Sequence, residues 1–295
     1  MRLPDGWLDP HRHSEGWLAW AAALPRLAAT LLDEWDLVED GEQRHGNAAV
    51  VLMVRTADGT SAALKVGWPH EEAQHEHLAL QHWHGQGAVR LLRADPGRSA
   101  LLLERLHPTD LSDAWDLQAC EVVAGLYQHL HVPAVPQLRR LSSYVGRATE
   151  RLAELPRSAP VPRRLVEQAV ALGRAFATDD ATDGTMIHGD LHYENVLAAD
   201  REPWLAIDPK PMSGDPHHEV APLLWNRWAE LAGDVRDGVR RRFHTVVDTA
   251  GLDEDRARDW VVVRMLHQAL DELEETEPDG DWITRCVTVA KAVQD

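Results

Sequence analysis

Apolar positions cluster in short runs over the first third of the chain and recur at helical spacing over the rest. Ala49-Val50-Val51-Leu52-Met53-Val54 is a continuous apolar run, Asp58-Gly59 a turn signal, and Ala62 to Val66 a second run, which together predict a strand, a hairpin and a returning strand. Val89 to Leu92 and Ala100 to Glu104, joined by Asp95-Pro96-Gly97, predict two more strands and so a small antiparallel sheet. Ahead of it, Trp7, Trp17, Trp20 and Trp35 among Ala and Leu predict one or two amphipathic helices, punctuated at Asp9-Pro10 and Leu24-Pro25. These helices either pack on the sheet or act as a cap. Between the two strand pairs, His70 to His84 predicts a helix stopped by Gly85 and Gly87. From Leu111 the period is helical: residues 117–131, 138–155 and 162–176, divided by Pro133, Pro136, Pro156 and Pro160. After a linker at 178–185, Asp215 caps a further helix. Residues 240–249, 253–275 and 282–293 complete the set, with Val262, Leu266, Ala269, Leu270 and Leu273 on one buried face. The pattern is α+β, a sheet-based region at 1–104 followed by a mainly helical region at 105–295.

Composition narrows the partners. The 295 residues are 44% hydrophobic and 26% charged, ordinary for a globular protein, with room for two lobes. A formal charge of −18 argues against nucleic acid, whose phosphates need basic surface. The Met-Arg-Leu-Pro start does not read as a signal peptide and no apolar run is long enough to span a bilayer. Two cysteines, Cys120 and Cys286, without a Cys-x-x-Cys, favour a reducing compartment. The expectation is a cytoplasmic protein with neither a membrane nor a nucleic-acid partner. Twelve Trp against two Phe is unusual and has no explanation in the pattern itself.

The chemistry is concentrated in residues 187–210. Asp190 and Asn195 lie in an Asp-Leu-x-x-x-Asn frame, and Asp208 ends an apolar run thirteen positions after Asn195. Phosphoryl transfer needs a group to orient the attacking hydroxyl, plus an amide and a carboxylate to hold Mg²⁺ on nucleotide phosphates. The protein-kinase catalytic loop has the same frame, with Arg where Gly189 stands. Lys65, alone in an apolar strand, reads either as an edge-strand gatekeeper or as the lysine that reaches the α/β-phosphates, and the downstream loop favours the second. Arg44 to Ala49 stands where a glycine loop would cover the phosphates, although Gly46 is its only glycine. The histidines between His70 and His84 fall at i,i+2 spacing on different helix faces, without a cysteine, and read as a solvated helix rather than a zinc site.

His188-Gly189-Asp190-Leu191-His192 with Asn195, then Ala206-Ile207-Asp208-Pro209-Lys210-Pro211, Gly214-Asp215-Pro216 and Ala221-Pro222-Leu223-Leu224, resembles the aminoglycoside phosphotransferase superfamily, in its streptomycin 6-phosphotransferase and hydroxyurea phosphotransferase branch. The resemblance runs from about residue 30 to the C-terminus. It implies a bilobal protein-kinase-like fold, ATP and Mg²⁺ as cofactors, and a small-molecule hydroxyl acceptor, with antibiotic resistance as the outcome. In its terms Asp190 and Asn195 are catalytic, Asn195 and Asp208 bind metal, and Lys65 is oriented by Glu76, with Glu72 in reserve. His188 supports the loop rather than serving as base. The backbone at 104–106, with Glu104 and Leu106, takes the adenine edge, and Gly46 lies over the phosphates. Glu219 or Asp215 braces the catalytic loop. Asn226, Asp271 and Glu274 border the acceptor, where carboxylates suit a cationic aminoglycoside; a charge run is equally a solvated face. A kinase of an ordinary metabolite on the same fold, or a nucleotide-binding pseudokinase, are the alternatives.

Overall fold

The computed structural model describes residues 3–9 and 13–294. Pro10, expected to punctuate the N-terminal helices, lies outside them. The chain divides into two compact units, Met1–His107 and Pro108–Asp295. The first unit runs on to His107, beyond the boundary expected after Glu104.

In the first unit a 20-residue helix, α1 (Glu15–Glu34), precedes β1 (Leu37–Glu39), β2 (Arg44–His45), β3 (Ala49–Thr56) and β4 (Ser61–Gly67). Then come α2 (Glu76–Trp83), β5 (Leu91–Asp95) and β6 (Ala100–Glu104). The strands form one antiparallel sheet in the order β1-β3-β4-β6-β5, with β2 against β3. Period-two alternation turns Val50, Leu52, Val54, Leu64 and Val66 to one face, where α1 packs Trp17, Ala21, Leu24, Ala28 and Leu31 against them. The tryptophans find their explanation here. Trp7, Trp17, Trp20 and Trp68 have ring centroids 5.0 to 5.6 Å apart and wedge the N-terminal segment onto the sheet. This segment packs on the sheet.

Three sequence expectations shift in this unit. Pro25 does not break the N-terminal helix: α1 runs through it. A proline inside a helix costs about 3 kcal/mol, while burying Leu24 and Leu31 stabilises by about 1.5–3 kcal/mol each. The helix expected from His70 has only a 3₁₀ turn at Glu71–Ala73 and becomes α-helical at Glu76. Its buried stripe, Glu76, Ala79, Leu80 and Trp83, begins at that residue, and the preceding turn has no buried residue to hold it. The strand expected at 89–92 is displaced to Leu91–Asp95. The Asp95 carboxylate accepts the Arg98 N–H and closes a turn that pairs Asp95 with Ala100, so the ladder is set from that end.

The second unit is helical around small sheets. Its elements are α3 (Asp116–Leu130), β7 (Val132–Pro133), β8 (Arg139–Arg140), α4 (Leu141–Ala153), α5 (Arg163–Thr178) and β9 (Thr185–Ile187). They continue through β10 (Val196–Ala198), β11 (Trp204–Ala206), β12 (Met212–Gly214), α6 (Ala221–Trp225), α7 (Val235–Ala250), α8 (Glu254–Leu273) and α9 (Gly280–Ala292). The helix expected from Leu138 starts at Leu141, because Arg139–Arg140 pair with β12. The one expected from Arg240 starts at Val235, and its buried stripe includes Val239, Phe243, Val246 and Val247. α8 is the centre of the unit: Trp260 to Val263, Met265, Leu266, Ala269 and Leu270 are all buried, so it packs on several sides. Two hairpin-scale sheets, β10-β11 and β7-β9-β12-β8, frame the segment 187–214. Among the described residues no helix is long and apolar enough to cross a membrane.

Candidate active site

In the first unit the notable pair is Lys65 and Glu76. Lys65 lies in β4 between Val51 and Leu101, on the face away from α1, and its ammonium donates to both Glu76 carboxylate oxygens at 2.7 Å. Glu76 is the first residue of α2 and only 5% exposed, whereas Glu72 is exposed on the preceding 3₁₀ turn. Burying an ion pair costs desolvation that its attraction barely offsets, so such a pair is weak as a stabilising device. Gly46 N–H donates to Ala49 O at 3.0 Å in the tight β2–β3 connection; a Cβ there would meet nothing within 4 Å, so no local constraint demands a glycine. Glu104 ends β6 with its N–H donated to Arg90 O and a carboxylate oxygen accepting the Arg90 N–H. The Glu104 N–H is thus spent within the sheet, and the half-buried Leu106 lies just beyond it.

In the second unit β9 delivers the chain into the loop 188–195, which is held on every side. Gly189 has φ 85°, and a Cβ there would lie 2.2 Å from Lys210 O. Left-handed backbone and this close approach together require glycine where protein kinases have arginine. The Glu219 carboxylate, fully buried, accepts the N–H of His188 at 3.0 Å and of Gly189 at 2.6 Å, and bonds His131 Nε2 at 3.1 Å. Burial pushes the Glu219 carboxyl up, but His131, His188 and the Gly189 N–H more than offset it, and its pKa lies below the ordinary value. From the other side Arg264, also buried, donates to Gly189 O at 2.7 Å and His218 O at 2.8 Å while its guanidinium stacks on Trp225. Glu219 is therefore the brace. Asp215 acts elsewhere. Its carboxylate caps the 216–220 turn through the His217 N–H and accepts from Trp260 Nε1 and Arg256 Nε, tying that turn to α8.

His188 is wholly buried, and desolvation pushes its pKa down. Asp190 N–H donates to Nδ1 at 3.3 Å, so the ring proton sits on Nε2 and donates to Ile207 O at 2.9 Å. Both nitrogens are spent, which makes His188 a neutral strut and not a base. Asn195 is 8% exposed, and its Nδ2 donates to Asp190 O at 2.9 Å and His192 Nε2 at 3.1 Å, leaving Oδ1 as the amide's acceptor. The neighbouring Tyr193 is anchored through its hydroxyl to Leu223 O. Ile207 N–H donates to Asn195 O at 2.9 Å at the base of the β10–β11 hairpin, and this brings Asp208 beside Asn195. Asp208 is exposed and has φ 56°, an uncommon conformation for a residue other than glycine. Its carboxylate and Asn195 Oδ1 are hard oxygen donors, the kind Mg²⁺ takes. Asp190 is paired with Lys210, Oδ2 to Nζ 2.8 Å.

The remaining candidates have partners elsewhere in this unit. Asn226 caps α6, its Nδ2 donating to Pro222 O and its carbonyl accepting from Arg242. Asp271 and Glu274 both pair with Arg151 of α4, so one guanidinium offsets half of their charge, and Glu274 lines a shallow groove with Leu155, Pro156 and Leu273. His217 and His218 are engaged by Asp215 and by Arg264 and Trp260. Sequence reasoning missed Arg264, His131 and the Lys210–Asp190 pair. Arg264 did leave a signal, a lone charge within Val261-Val262-Val263-Arg264-Met265-Leu266.

Comparison with known proteins gives the chain a family and a fold. A model of the family described as aminoglycoside/hydroxyurea antibiotic resistance kinase matches residues 34–274. The chain is 41% identical to streptomycin 6-kinase of Streptomyces griseus over 285 residues, 93% of this chain and 92% of that one. It is 42% identical to hydroxyurea phosphotransferase of Kitasatospora aureofaciens over 265 residues, 86% of this chain and 74% of that one. Its fold is that of the solved aminoglycoside phosphotransferase APH(4)-Ia, with a TM-score of 0.62 at 15% identity, over 91% of this chain and 99% of that one.

Proposed function

This chain belongs to the aminoglycoside/hydroxyurea antibiotic resistance kinase family, and from that premise we propose that it transfers the γ-phosphate of ATP to a hydroxyl of streptomycin or a close relative, inactivating the antibiotic. The observation that carries the reading is the loop 188–195 with Asp208: Glu219 and Arg264 fix the backbone ahead of the half-buried Asp190, and the Ile207 N–H to Asn195 O bond sets the exposed Asp208 beside the Asn195 amide. Streptomycin is favoured because the match extends over 92% of the streptomycin kinase, against 74% of the hydroxyurea enzyme. A net charge of −18 also suits a polycationic acceptor. Hydroxyurea is the second reading, since identity to its phosphotransferase is equally high at 42%.

In this reading the first unit binds nucleotide and the second carries the acceptor and the chemistry. Lys65, held by Glu76, neutralises the α/β-phosphates. Asn195 Oδ1 and Asp208 hold Mg²⁺, which supplies further neutralisation of phosphate charge. Asp190 accepts a hydrogen bond from the acceptor hydroxyl and aims it in line with the γ-phosphorus. An O–P bond forms as the bridging O–P bond breaks, ADP leaves with that electron pair, and Asp190 takes the hydroxyl proton late. Phosphoryl transfer passes through a loose transition state, so orienting the hydroxyl matters more than the basicity of the carboxylate. Use of ATP assigns the reaction to the cytoplasm, in accord with two buried, free thiols at Cys120 and Cys286. The test is mass spectrometry of streptomycin and hydroxyurea after incubation with enzyme, ATP and Mg²⁺. A phosphorylated streptomycin is expected, and two unmodified compounds would refute the proposal.

A further inference from the structure

The chain is sparing with lysine: of 30 basic residues, the lysines are Lys65, Lys210 and Lys291, and arginine serves everywhere else. Lys291 is exposed in the last turn of α9, where any cation meets the helix dipole favourably. Lys65 is the Glu76-bound residue of β4. Lys210 remains, and it is mounted on the catalytic loop through its backbone. Its N–H donates to His188 O at 2.8 Å, and its carbonyl lies where a side chain at Gly189 would collide at 2.2 Å. Its ammonium is 2.8 Å from Asp190 Oδ2, with side chains 35% and 23% exposed, so the pair is within reach of an incoming group. Other cations around the loop are committed elsewhere: Arg264 to the Gly189 and His218 carbonyls, and Arg227 and Arg242, over the Tyr193 ring, to Glu230 and Asp116.

Resting on the phosphotransferase reading, we propose that Lys210 is a catalytic residue whose ammonium, paired with Asp190, contacts an oxygen of the phosphoryl group during transfer. A guanidinium is a wide planar fork, whereas an ammonium is a compact charge on a flexible stem that can pass between two oxygens at one point. That difference accounts for a lysine here in a chain otherwise built with arginine. Lys210 keeps its proton throughout. Its charge compensates the negative charge on the equatorial oxygens while the acceptor proton goes to Asp190 and the bridging electron pair leaves with ADP.

The test compares wild type with Lys210→Met in streptomycin phosphorylation, and by calorimetry with ADP and with a non-hydrolysable ATP analogue, each with Mg²⁺. We expect kcat to fall about 100-fold, analogue affinity to weaken about 10-fold, and ADP affinity to stay within about 2-fold, because only the analogue carries the third phosphate. A kcat within about 3-fold of wild type, or equal losses for analogue and ADP, overturns the assignment. Should the Met variant not fold, Lys210→Gln carries the same two criteria. Absence of transfer by wild type itself would refute the underlying reading, whereas wild-type transfer left unchanged in the variant refutes Lys210 alone.

Discussion

Glu219 and Gly189 are 30 residues apart in sequence, yet a buried carboxylate oxygen of one accepts the backbone N–H of the other at 2.6 Å. Arg264 takes the same residue's carbonyl at 2.7 Å. The residue that precedes Asp190 is thereby held at its N–H and its carbonyl by opposite charges.

Glu219→Gln tests this brace. The amide keeps one acceptor but turns an NH₂ toward donors at His188, Gly189 or His131, and leaves Arg264 less compensated. Urea unfolding should show a loss of about 2–4 kcal/mol, with kcat lowered more than KM is changed. Unaltered stability and kcat would show that the loop holds its shape without Glu219.

Gly189→Ala should be equally damaging for a different reason. The variant meets a left-handed backbone cost of about 1–2 kcal/mol and a collision with Lys210 O. A Tm close to wild type with normal turnover would mean that the 188–190 and 208–210 segments can separate freely.

Acid sensitivity should begin early, near pH 6.5. Burial lowers the pKa of His188, His218 and His267, the last to about 3, partly through Arg151 as well. These groups are neutral in the folded chain but charge in the unfolded chain as pH falls below 6.5, so the unfolded state binds more protons and stability declines from there down toward the folded pKa. His267 contributes about 1.4 kcal/mol per pH unit over that window. His267→Gln should flatten the stability profile between pH 6 and 4 by about that slope. An unchanged slope would place His267 in water, not against Thr149.

Lys65→Met should cost about 3–5 kcal/mol, because it strands Glu76 buried without its partner, and should weaken nucleotide binding. Lys65→Met with Glu76→Gln should recover much of the stability but not the affinity. Recovery of both would make the pair purely structural.

What could be read from sequence follows from how far apart the partners lie. Asp190 and Asn195 share one short loop and Asp208 follows after one hairpin, so their grouping is visible as spacing. The alternation at Val50, Leu52 and Val54 and the helical stripe of α8 likewise expose the sheet and the helical unit. Glu219 and Arg264 reach the loop from distant elements, 31 residues on for Glu219 and 75 for Arg264, with His131 behind Glu219, and no local pattern reports which carboxylate will brace it. Glu219 and Asp215 are therefore indistinguishable in sequence, and what separates them is the donation of the His188 and Gly189 N–H groups to Glu219 and the claim of Trp260 and Arg256 on Asp215. Pro25 misleads because helix-breaking chemistry is local, while the packing of α1 on the sheet is not.

Asp190 directs phosphoryl transfer from this loop in the proposed mechanism, and its removal is the sharpest probe of that role. The quantity to measure is the rate of streptomycin phosphorylation by Asp190→Ala, with Mg·ATP affinity followed in parallel by calorimetry. The expected rate is lower by about 10²–10⁴-fold, with affinity nearly unchanged. Turnover at the wild-type level in that variant would contradict the mechanism.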